Sequence, residues 1–205
     1  MTRNLAYGIS VIFHPLLLPT LLFGLIFYFL PDVAGMHQGT TQFFMLLAIF
    51  ITTAIIPTLS LVLLKFSAAI ESLQMPNREE RVMPFFFISV FYVVTTYLFY
   101  DKLRVPSLMV AVLSAITLII LVLSVCTLFV KASAHAAAIS GVLVLLGVLQ
   151  YLYPGSGLLY VVVAMVLIAG SVMWSRLYLQ AHSLQEIIIG MCIGLGVSPV
   201  VLFLI

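Results

Sequence analysis

The stretch Ser175-Arg176-Leu177-Tyr178-Leu179-Gln180-Ala181-His182-Ser183-Leu184-Gln185-Glu186 decides how the chain must be read, because it sets an arginine, a histidine and a glutamate between two long apolar runs. Of the 205 residues only 7% are charged and 64% are hydrophobic. Ionisable groups beside membrane hydrocarbon are costly to keep and by default mark a functional site. A helix from Ser183 onward puts His182 and Glu186 four residues apart on one face. A carboxylate so placed can hold a proton on one ring nitrogen and leave the other free to attack an electrophile. The planar donor fork of Arg176 suits phosphate or carboxylate oxygens.

The composition lies far from the soluble norm of about half apolar and a quarter charged. It predicts an all-α, polytopic membrane helix bundle of six to seven transmembrane helices, with residues 1–205 forming one membrane-embedded domain. Apolar runs near the length of about 20 residues that spans a bilayer fall at 8–30, 43–64, 83–100, 106–130, 132–152, 157–175 and 183–205. The third and sixth are the shortest, and the third also reads as a re-entrant piece. Pro15, Pro19 and Pro57 predict kinks, since each removes a backbone donor and crowds the preceding turn. A net charge of +2 without a basic patch argues against nucleic acid as a partner. Asp32 and Asp101, the only aspartates, are not clustered, which sets aside a prenyl transferase holding magnesium diphosphate. Cys126 and Cys192 lie in apolar runs and read as free thiols.

Seven spans sort the polar residues by side. The N-terminus and the links 65–82, 131–135 and 176–186 share one membrane face, with Arg3, Lys65, Glu71, Arg78, Glu79, Glu80, Arg81, Lys131, His135, Arg176, His182 and Glu186. Asp32, Asp101, Lys102 and Arg104 fall on the other. Such concentration predicts a single polar site at one surface. Small residues in Ala134-His135-Ala136-Ala137-Ala138-Ile139-Ser140-Gly141, and Gly190, Gly194 and Gly196, predict two helices in close approach, which would bring His135 near His182. Tyr151, Tyr153, Tyr160, Trp174 and Tyr178 fit an interfacial aromatic belt. Arg3, Lys65, Lys102 and Arg104 read as anchors at span ends, and His14, beside Pro15, as a packed or headgroup-level residue.

Three segments on the shared face are Asn77-Arg78-Glu79-Glu80-Arg81-Val82-Met83-Pro84, Lys131-Ala132-Ser133-Ala134-His135 and Ser175 to Glu186. Together they resemble the three-part signature of the type 2 phosphatidic acid phosphatase superfamily: a basic segment ending Arg-Pro, then Pro-Ser-Gly-His, then Ser-Arg-x5-His-x3-Asp. The third segment keeps the spacing, with Glu186 in place of aspartate. The second keeps serine and histidine and loses proline and glycine. In the first, the family's lysine falls on Gln74, and proline comes three residues after Arg81.

This resemblance implies metal-independent removal of phosphate from a lipid or isoprenoid (di)phosphate through a phosphohistidine, with no cofactor. It makes His182 the nucleophile, Glu186 its orienting partner and His135 the acid that protonates the leaving oxygen. Arg81, Ser133 and Arg176 would bind phosphoryl oxygens, and the chemistry adds Arg78 and Lys131 as helpers. Partners would be the lipid phosphate and the membrane lipids around it, in a bacterial inner membrane. The altered first and second segments motivate an alternative, a non-hydrolytic protein of the same architecture that binds or moves phospholipid headgroups.

Overall fold

The computed structural model describes residues 2–73, 75 and 77–204, apart from the side chains of residues 201–203. Among the described residues all regular structure is helical. Five helical rods, Gly39–Phe66, Glu79–Lys102, Ser107–Thr127, Ala134–Leu152 and Leu158–Tyr178, are long and apolar enough to cross a membrane. The chain is therefore an integral membrane protein. The first rod is α3 (Gly39–Phe50) and α4 (Ile56–Phe66) joined through a π-helical turn at Ile51–Ile55. The second is α5 (Glu79–Tyr97) ending in a π-helical turn at Leu98–Lys102, and the others are α6 (Ser107–Thr127), α7 (Ala134–Leu152) and α8 (Leu158–Tyr178). The two runs that look shortest in sequence thus form full rods, because polar residues at their ends continue the helix.

The outermost runs behave differently. Residues 8–30 do not form one span: Pro15 divides the segment into α1 (Arg3–Ile12) and α2 (Leu18–Phe29). A helix of 12 residues rises only about 18 Å, short of a hydrocarbon core of about 30 Å. Pro19 lies in the first turn of α2, where an absent N–H breaks no intrahelical bond, so it starts a helix and does not kink one. At the other end of the chain, α9 (Leu184–Val197) gives way to 3-10 turns at Ser198–Phe203. Buried residues of α2 (Leu22, Phe23, Ile26) join Met109 and Leu113 of α6 and Leu145 of α7 in the main apolar core, so this short helix is held chiefly by protein.

Pro57 produces the expected irregularity and a tie as well. With no N–H at residue 57, the Thr53 carbonyl lacks its usual partner one turn later. The buried Tyr92 hydroxyl of α5 donates to it at 3.1 Å. A helix defect thereby becomes a polar link between two rods.

The closest pairing is α7 with α9. A Cβ added at Gly190 would run into the Ser133 carbonyl oxygen, and one at Gly194 into that of Ala137 and, at 2.8 Å, the Gly141 nitrogen. Gly196 faces open space. Two of the three glycines therefore let the backbones touch, as the small-residue pattern anticipates. Gly194→Ala should lower stability by about 1–3 kcal/mol through overpacking, whereas Gly196→Ala should change it by less than about 0.5 kcal/mol. Unfolding of both variants in detergent, followed by circular dichroism, measures the contrast, and equal effects would contradict the assigned interface.

Candidate functional site

The turn after α8 places the first group. The Ala181 N–H donates to the Arg176 carbonyl at 3.1 Å and the Gln180 N–H to that of Leu177 at 2.9 Å, with Gln180 left-handed at φ 52°. This double closure is a Schellman stop, which turns the chain back sharply over the helix end. His182 follows, only 8% exposed. Ser183 then caps α9, its Oγ accepting from the Glu186 N–H at 3.3 Å. Ser183 and Glu186 occupy the two positions of a capping box, in which the acid side chain ordinarily reaches back to the cap backbone. Here it goes elsewhere: Glu186 Oε2 meets His182 Nδ1 at 2.6 Å. Its other oxygen lies 3.6 Å from Lys131 Nζ. A carboxylate accepts, so Nδ1 carries the proton and Nε2 has the free lone pair.

The second segment is locked to the third through backbone. Ser133 N–H donates to the Glu186 carbonyl at 2.9 Å, and Ser133 Oγ caps α7 by accepting from the Ala136 N–H at 3.3 Å. Ser133 is fully buried and does not line the cavity. Its hydroxyl holds the helix start. Two residues on, His135 does face the cavity, with its Nε2 donating to the Ser10 carbonyl of α1 at 3.1 Å.

The arginines divide by surroundings. Arg81, 6% exposed, donates from Nε to the Met75 carbonyl at 2.8 Å and from Nη1 to that of Ala132 at 3.4 Å. Arg176 is half-buried, and its Nε is buried without a hydrogen-bond partner among the described residues. Neither guanidinium has a carboxylate within ion-pair distance among those residues. Arg78 does otherwise: its Nη1 donates to the carbonyls of Leu128 and Phe129 at 2.8 and 3.0 Å, and it pairs with Glu79 at 3.1 Å. It clamps the C-terminal end of α6 and is not among the predicted residues that the cavity brings together. Gln74, where the resembled pattern has lysine, lies outside the described residues.

Arg81, Lys131, His135, Arg176 and His182 line one cavity of about 820 Å³. Its far wall is apolar, with Leu61 of α4, Phe85 and Ile88 of α5, and Ile120 and Leu123 of α6. The predicted convergence of three distant links at one end of the bundle is thus observed. Missed in the sequence was α1: Arg3, Asn4, Tyr7, Ser10 and Val11 also line the cavity, and so does His14. The His14 ring stands edge-on to that of His135, centroids 5.4 Å apart. Pro15 was the available signal, because a broken first helix need not cross the membrane and can fold across an end of the bundle.

Burial holds the His182 imidazole below its ordinary value of 6.5; the Glu186 hydrogen bond opposes this, while Arg81 and Arg176 reinforce it. Burial, reinforced by Arg176, likewise lowers His14. A neutral His182 ring, its Nε2 lone pair in one cavity with Arg81 and Arg176, can attack an electrophile carried on an anion. Among the described residues, no three His, Cys, Asp or Glu side chains gather as metal ligands.

Fold and cavity together define an all-helical integral membrane protein with a cationic pocket at one end of its bundle. No family model, curated protein or solved structure matches the chain. An anion in the pocket would offset both arginines, so the titration midpoint of His182 should lie below 6.5 in phosphate-free detergent and rise when phosphate or vanadate is added. Histidine NMR of the full chain across pH reads this shift. A midpoint at or above 6.5 without anion would exclude the neutral ring at lower pH.

Proposed function

We propose that the chain is a lipid phosphatase that hydrolyses a lipid or isoprenoid (di)phosphate through a phosphohistidine, in the manner of the type 2 phosphatidic acid phosphatases whose signature it resembles. The observation that carries this reading is the Nε2 of His182, with Nδ1 held by Glu186, in one cavity with two arginines that have no carboxylate within ion-pair distance among the described residues. Phosphoryl transfer asks a protein chiefly for positioning and for positive charge around the equatorial oxygens. In the proposed sequence, His135 takes a proton from the bound phosphate monoanion, His182 Nε2 bonds to phosphorus as the bond to the leaving oxygen breaks, and His135 gives that oxygen the proton. Water then attacks the phosphohistidine, passing a proton to His135, which returns it to the released phosphate, and His182 is restored. Arg81 and Arg176 bind the phosphoryl oxygens throughout, and Lys131, 3.6 Å from the second carboxylate oxygen, helps to hold Glu186 in place. The apolar wall from α4, α5 and α6 accommodates the lipid chain. By the same resemblance we assign the protein to a bacterial inner membrane.

Purified protein with chelator present should release phosphate from phosphatidic acid, phosphatidylglycerol phosphate or a polyprenyl diphosphate. His182→Ala should abolish release. Arg176→Ala should weaken it by about 10- to 100-fold, the loss of charged hydrogen bonds of about 1.5–3 kcal/mol. Arg78→Ala should retain turnover while lowering stability. Phosphate release that persists in His182→Ala would refute the mechanism. One observation favours a second reading, that of a phospholipid-headgroup binder without turnover: the His135 nitrogen seen bonded is engaged by the protein's own Ser10 carbonyl. Phosphate binding that depends on Arg81 and Arg176, with no release from any of the three substrates, would establish that alternative.

A further inference from the structure

Pro15 lacks the N–H that would close the α1 helix onto Val11, and the His14 N–H turns to the Val11 carbonyl instead, at 3.3 Å. The next N–H upstream, that of Phe13, goes to Ile9 at 3.0 Å. Ser10 therefore has a carbonyl that its own helix does not use, as expected at a helix terminus. That carbonyl is the acceptor for His135 Nε2 at 3.1 Å, across 125 residues of sequence. A carbonyl oxygen can only accept, so Nε2 of His135 must carry hydrogen whatever the charge on the ring. Only Nδ1 is left to gain and lose a proton.

Two further contacts hold α1 at this place. The Ser10 hydroxyl lies 3.1 Å from that of Ser175, whose own hydrogen is directed to the Val172 carbonyl at 2.7 Å. His14, with its Nδ1 accepting from the Leu16 N–H at 3.4 Å, packs edge-on against the His135 ring. The end of one short amphipathic helix and the turn that follows it thus grip the same imidazole by a backbone acceptor and by a second ring, beside Arg176.

We propose that the broken N-terminal helix is a positioning element of the site: the Ser10 carbonyl released by Pro15 fixes His135 as its Nε2–H tautomer, His14 braces the ring, and Nδ1 is the nitrogen that exchanges a proton with bound substrate. Ser10 and His14 act through His135. They are positioning residues, neither of them a donor to the reacting atoms. The delivery of that proton to a leaving oxygen rests on the phosphatase reading; the fixed tautomer does not.

The test uses the 205-residue chain in detergent with 15N-labelled histidine, its four histidines assigned by single His→Gln variants. His135 should show one tautomer near neutral pH, with a protonated Nε2 and a bare Nδ1. In Pro15→Ala, the restored N–H lets α1 continue and reclaim its carbonyls, and the His135 signal should move to averaged tautomers. His14→Ala should broaden the same signal, whereas His14→Phe, which keeps a ring edge in place, should restore it. Where substrate is turned over, His14→Ala should lower kcat by up to about a hundredfold with KM little changed and with recovery in His14→Phe. An averaged or Nδ1-protonated His135 in the unmodified chain would overturn the proposal even if Pro15→Ala fails to fold, and so would a signature unaltered in folded Pro15→Ala. A fixed tautomer in a protein that releases no phosphate would leave the positioning device standing and remove the phosphatase instead.

Discussion

The contact on which the site depends is the backbone-to-backbone approach of α7 and α9. Helices in lipid gain little from burying apolar surface against one another, so they associate through close packing and polar ties. Gly190 and Gly194 bring α9 onto the Ser133 and Ala137 carbonyls of α7, and the Ser133 N–H reaches the Glu186 carbonyl across the same seam. The starts of both helices are thereby held in register. Because His135 begins one and His182 precedes the other, the seam sets the separation of the two imidazoles before any ligand is present.

Proline supplies the second recurring device. Pro57 leaves the Thr53 carbonyl to Tyr92, and Pro15, by disturbing the last turn of α1, leaves that of Ser10 to His135. An unpaired carbonyl away from water costs about as much as a lost hydrogen bond, so each break favours whichever side chain can reach it. The consequence differs with place. At mid-rod the tie joins two spans, and at the bundle end it orients a titratable ring in the cavity.

The cations separate into those already satisfied and those kept open. Arg78 spends its donors on the end of α6 and on Glu79, and Lys131 meets Glu186. Arg81 and Arg176 keep their charge facing the cavity with only backbone partners or none. Two guanidinium groups partly withdrawn from water, with no carboxylate within ion-pair distance among the described residues, favour an anion between them, and their field reinforces the burial that holds the His182 imidazole below its ordinary value.

Composition alone established a helical membrane protein, because a chain with so few charges cannot leave its backbone unpaired in hydrocarbon. Spacing put His182 and Glu186 on one helical turn, and glycine spacing announced the α7 and α9 contact; both are local relations that a helix's period carries directly. Counting spans placed Arg81, Lys131, His135 and Arg176 at one face, since each rod crossed returns the chain to the opposite side. The α1 helix was illegible as part of the site: its last turn, its packing against α8 and the capture of His135 by Ser10 depend on where a released carbonyl meets a residue 125 positions away. Arg78 and Arg81, three residues apart and alike in sequence, likewise parted only in three dimensions, where one met the carbonyls ending α6 and the other the cavity. Chemistry type and helical face are written in neighbouring residues, whereas partnership between side chains is decided by which backbone groups the packed helices leave unused.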